Sequence, residues 1–109
     1  MGLDITISRF ENIRCPKCGA TVDFREIESE SSGGRVWYDI LERFGYYVPY
    51  EERTPDNDWY SKDMKLTDAQ TEELYRFVLE HEVYNESFIL GIIATAKMEG
   101  QCVVINADW

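Results

Sequence analysis

The chain of 109 residues carries 21 acidic against 11 basic side chains, a net charge of −10. That length supports one domain with a single core, and that charge opposes direct contact with nucleic-acid phosphates or an anionic membrane surface. No apolar stretch approaches the ~18 residues that span a bilayer, and Met1-Gly2-Leu3-Asp4 has no basic segment followed by an apolar run, so a cytoplasmic protein is expected.

Leu3, Ile5 and Ile7 alternate with Asp4, Thr6 and Ser8, the period of a strand with one buried face. Ala20, Val22 and Phe24 alternate in the same way with Thr21, Asp23 and Arg25. Cys15-Pro16-Lys17-Cys18-Gly19 lies between these runs, at the expected tip of an antiparallel hairpin. Glu28 to Gly34 is Ser, Glu and Gly without apolar period and reads as a polar connection. Trp37, Ile40, Leu41 and Phe44 then share one helical face, closed by Gly45.

From Tyr46 to Lys65 no period is sustained, which predicts a long irregular connection; such loops tend to be functional or disordered. Thr67-Asp68-Ala69-Gln70 is a capping box opening a second helix, with Leu74, Phe77 and Val78 inward. Asn85 or Ser87 can cap a third helix, whose apolar face is Phe88, Ile89, Ile92, Ile93 and Ala96 and whose end is Gly100. Cys102-Val103-Val104-Ile105 reads as a last strand. The expected fold is one α+β domain: a three-stranded, mainly antiparallel sheet packed by three helices, with a zinc knuckle at a hairpin tip.

Two thiolates separated by two residues can bind one tetrahedral Zn2+ from a tight turn. The odd total of three cysteines suits a reducing compartment and a metal better than a disulfide framework. A redox Cys-Pro-x-Cys opens a helix, whereas Gly19 and the alternating run after it point to a strand. A closed zinc site needs two further ligands, and the remaining soft or imidazole donors are Cys102 and His81. They should lie at opposite ends of the third helix, so strand direction decides which one meets Cys15 and Cys18. The last position falls to a carboxylate, a water or a second chain. Without a metal role, Cys102 is a core residue and His81 a solvated one near a helix C-terminus.

No nucleophile elbow, phosphate-binding glycine loop or second histidine is present, and His81-Glu82 lacks the second His of a zinc-protease helix because residue 85 is Asn85. An enzyme is not expected. What is conspicuous is aromatic crowding in an acidic setting. Trp37, Tyr38, Phe44, Tyr46, Tyr47, Tyr50, Trp59 and Tyr60 fall within 24 residues, and Glu51 to Glu86 holds 11 acidic against four basic side chains. Tyr and Trp are enriched at binding hot spots, so Tyr47, Tyr50, Trp59 and Tyr60 with Glu51, Glu52, Asp56 and Asp58 form a candidate partner surface. The same rings could equally fold back over the sheet.

The opening Met-Gly-Leu-Asp-Ile-Thr-Ile, the Cys-Pro-Lys-Cys-Gly knuckle, Trp37 to Glu42, Gly45 to Glu51 and the terminal Asn106-Ala107-Asp108-Trp109 together resemble small proteins of bacteriophages and mobile elements. Acidic proteins of that class often resemble nucleic-acid mimics or inhibitors of host defence, including anti-CRISPR proteins that bind Cas9, of which at least one kind is a metalloprotein. The resemblance implies a zinc-stabilised, non-catalytic inhibitor in the host cytoplasm, binding a host protein with a basic nucleic-acid-binding surface, CRISPR–Cas9 first. It assigns no binding residue. The alternative is an accessory protein-interaction domain whose metal only stabilises the fold.

Overall fold

The computed structural model describes residues 3–14 and 16–109. In chain order its elements are β1 (Asp4–Arg14), β2 (Thr21–Gly33), α1 (Trp37–Arg43), a 3-10 turn (Tyr50–Glu52), β3 (Met64–Lys65), α2 (Asp68–His81), α3 (Glu86–Met98) and β4 (Cys102–Asp108). The strands form one antiparallel sheet in the order β2-β1-β4-β3. The fold is α+β with three α-helices, and the sheet has four strands among the described residues, not three. β3 is the missing one: two residues, opposite Ile105 and Val104, are too few to show an alternation.

The pleat sets the two faces of the sheet. Residues paired across antiparallel strands share a face, so Ile5 with Ala107 and Ile7 with Ile105 line the buried one. Across it lies α3, whose Ile89, Ile92, Ile93 and Ala96 are buried, and α2 packs against α3 with Leu74, Phe77 and Val78 in the same core. Phe88 does not belong to that face: it is 62% exposed, because one residue is a turn of about 100° and the strip centred on Ile89, Ile92 and Ile93 leaves it on the flank. Asn85 stands at the N-cap of α3 without capping it; its side chain donates instead to the Ser31 carbonyl at 2.7 Å and ties α3 to β2.

The other helices begin and end as their sequences require. Thr67 Oγ1 accepts from Gln70 N at 3.1 Å while Gln70 Oε1 accepts from Thr67 N at 2.9 Å, the reciprocal capping box. α1 closes through Gly45 at φ +74, with Tyr46 N donating to Leu41 O. α3 closes through Gly100 at φ +66, with Gln101 N donating to Ala96 O.

β2 departs most from expectation. The stretch 28–33 is strand, with Glu28 opposite Arg9 and Gly33 opposite Asp4. Its side chains hide this because β2 is the sheet edge. Glu26, Glu28 and Ser29 are exposed, and a register shift opposite Arg9/Phe10 breaks the alternation. What holds the strand is its backbone ladder, which has no signature in residue type. Only Ser32 of this stretch is buried, where its hydroxyl accepts the Trp37 indole N–H at 3.1 Å.

Candidate functional site

The expected site residues divide between two ends of the sheet. At one end β1 and β2 continue past the start of β4: Cys102 pairs with Phe10, yet the ladder with β2 runs on to Arg14 opposite Thr21. Four further residues at about 3.3 Å each make a two-stranded arm of roughly 13 Å. The arm ends in a turn over 16–18, so Pro16, Lys17 and Cys18 stand at a hairpin end. Cys18 is an exposed free thiol there; Cys15 lies outside the described residues.

β4 runs antiparallel to β1, the direction that brings Cys102 rather than His81 towards the arm. The approach is incomplete. Cys102 stays at the base of the arm, half-buried, with its thiol 3.5 Å from the Phe10 carbonyl. It also borders a cleft of about 720 Å³ between Asn12, the start of α2 and the end of α3. His81 is at the far end of α2, where its ring stacks on Phe77 at 4.2 Å and its Nδ1 lies 2.9 Å from the Phe77 carbonyl. The fold therefore brings neither Cys102 nor His81 to Cys18. Among the described residues, no three His, Cys, Asp or Glu side chains gather as a metal group.

At the other end, where Asp4 faces Asp108, the 46–63 segment folds back over the core. Tyr46 is fully buried and anchors it. Its hydroxyl donates to the Lys62 carbonyl at 2.6 Å and accepts from Ala107 N at 2.8 Å, joining the returning segment to β4. Burial, then the charges of Asp108 and Asp63, raise its pKa above the ordinary tyrosine value. Trp59 stacks beside Tyr46 at 6.2 Å, and Tyr47 meets Tyr38 and Trp109 edge-on at 4.8 and 5.2 Å. Tyr47 and Trp59 are thus half-buried members of the core, not exposed anchors as one reading of the sequence had them.

What remains outside is Tyr50, 85% exposed, and Tyr60, 45% exposed with one edge against Trp109. Glu51, Glu52 and Asp56 are exposed; Asp58 is half-buried and accepts the Tyr60 amide at 3.1 Å. The segment owes its shape to polar clamps. Arg53 donates twice to the Val48 carbonyl, at 3.1 and 2.8 Å, with its guanidinium 5.7 Å from the Tyr47 ring and 5.3 Å from that of Trp109. Asn57 bridges the Thr54 amide and the Glu52 carbonyl.

Arg53, Tyr46 and Trp109 organise this end, and the sequence reading assigned them no such role. One signal was present: Arg53 is the single cation between Glu51 and Asp58. An isolated guanidinium among rings is well suited to stack on them.

No protein family matches the chain, and no curated protein or solved structure matches it either. Among the described residues no helix is long and apolar enough to cross a membrane.

Proposed function

We propose that this protein is a non-catalytic, acidic, zinc-stabilised inhibitor that binds the basic nucleic-acid-handling surface of a host protein. The observation that carries the reading is the presentation of Tyr50. A large ring stands almost wholly in solvent between exposed Glu51 and Glu52 and a segment fastened by Arg53. Fixing the backbone that carries this ring before binding lowers the ordering cost of association, and the carboxylates beside it favour a cationic groove. Asp56 extends the acidic rim and Tyr60 supplies a second ring. Cys15 and Cys18 are read as zinc ligands on the chemistry of their spacing. The resemblance to small bacteriophage proteins makes a CRISPR effector such as Cas9 the first partner to try, in a bacterial cytoplasm.

The test is binding to purified Cas9 and to other host nucleases and polymerases, measured at about 50 and 300 mM salt. The expected result is a steep loss of affinity with salt, a loss of about 100-fold or more on joint charge reversal of Glu51, Glu52, Asp56 and Asp58, and about tenfold or more for Tyr50→Ala. Binding that is indifferent to all three overturns the reading.

The packing of Tyr47 and Trp59 into the core favours a second reading, an accessory interaction domain of a mobile element, because it removes two of the four rings first counted as interface. Capture from host lysate separates the readings: the first requires a nuclease or polymerase in the bound fraction.

A further inference from the structure

We propose that Cys15 and Cys18 hold their zinc ion together with the same two cysteines of a second copy of this chain, one metal joining two hairpin arms end to end. The proposal rests on the zinc reading above and names the ligands that complete it. Cys15 enters through its place in the sequence alone.

A structural zinc site is closed by four ligands, and this chain has three cysteines and one histidine in all. Cys102 is held at Phe10, at the base of an arm that runs four residues, roughly 13 Å, beyond it. His81 caps the distant end of α2 against Phe77. The carboxylates nearest the turn in sequence are Glu11 and Asp23. Glu11 is engaged by Arg25 across the ladder, and Asp23 accepts the Phe24 amide at 2.8 Å. From Asn12 to Val22 there is no acidic residue at all. The arm thus carries the exposed Cys18 to its end and leaves Cys102 and His81 behind, whereas an identical arm would bring a second Cys-x-x-Cys pair to complete the four ligands.

Charge favours the same place. Two copies at −10 each repel over most of their surface, but the stretch 12–22 has two basic residues and no acidic one. A zinc ion with four thiolates has a net charge of −2, which neighbouring cations offset. A two-fold axis through the metal makes both halves equivalent, the commonest arrangement for a pair of identical chains.

Native mass spectrometry and elemental analysis of the full chain, kept reduced with a phosphine and supplied with zinc, decide the matter. The expected species has twice the chain mass and 0.5 zinc per chain, and a chelator returns it to single chains. Cys102→Ser and His81→Ala leave mass and metal content unchanged, while Cys18→Ser loses both and retains its circular dichroism. One zinc per single chain overturns the sharing and leaves the zinc reading standing. No bound zinc overturns both. A pair that survives the chelator, or a metal lost in Cys102→Ser or His81→Ala, overturns the shared site.

Discussion

The two ends of the sheet spend their residues in opposite ways. At the Arg14 end a two-stranded arm projects, and every residue from Asp23 to Ser29 is exposed. At the Asp4 end Tyr46, Tyr47, Trp59 and Trp109 pack on one another, and the irregular 46–63 segment is stitched to β4 through Tyr46, Ser61 and Asn106. The arm is regular in backbone but has little apolar burial; the ringed end is irregular in backbone but has much. Regular secondary structure and stability are therefore distributed separately here. Two-stranded ribbons are marginal in water without a further tie, and the zinc ion proposed above would supply one at the arm.

Three substitutions sharpen this contrast. Tyr46→Ala removes a fully buried ring that holds two segments, and is expected to lower unfolding free energy by about 3–5 kcal/mol in urea melts, the range for large aromatic truncations. A loss under about 1 kcal/mol would mean that the ringed end contributes no more than the arm. Tyr46→Phe keeps the ring but leaves the Lys62 carbonyl and the Ala107 amide without the hydroxyl, for an expected loss of about 1–3 kcal/mol.

The same variant alters the response to alkali. Burial, and then Asp108 and Asp63, raise the Tyr46 pKa, so the folded chain keeps the phenol proton at a pH where the unfolded chain has released it. That contribution is complete below the ordinary value of 10.0 and is lost as pH rises beyond it. In Tyr46→Phe this alkaline decline is expected to flatten, measured as the midpoint of unfolding between pH 9 and 11.

The smallest effect is expected in the arm. Phe24 is 47% exposed and its visible partner is the Lys65 ammonium, 5.2 Å from the ring centre. Phe24→Ala should therefore cost about 0.5–1 kcal/mol. A larger loss would show that the arm packs on the body more firmly than its exposure suggests.

Residue patterns made much of this legible. Leu3, Ile5 and Ile7 predict β1, the Thr67–Gln70 pair starts α2, and Gly45 and Gly100 end α1 and α3, because each signal acts within a few residues along the chain. The hairpin end at Cys18 was legible for the same reason. The candidate partner surface was legible in part: Glu51, Glu52, Asp56, Tyr50 and Tyr60 stand outside, whereas Asp58 is half-buried and Tyr47 and Trp59 turn inward. Composition states how many rings there are, and the surfaces available to cover them decide which remain wet.

Other features belong to the tertiary structure alone. β2 reaches Gly33 and β3 exists because a neighbouring backbone offers hydrogen bonds, and such ladders are indifferent to the side chains Glu28–Ser31 or Met64–Lys65. The sequence by itself determined three helices, a hairpin with Cys18 at its end, and an acidic chain rich in rings. Only the antiparallel pairing of β4 with β1 decided that Cys102 approaches the arm and His81 does not, and only the extra length of the arm decided that Cys102 stops short. The physical reason is that local signals act through the chain, while register and reach are set by which strands meet.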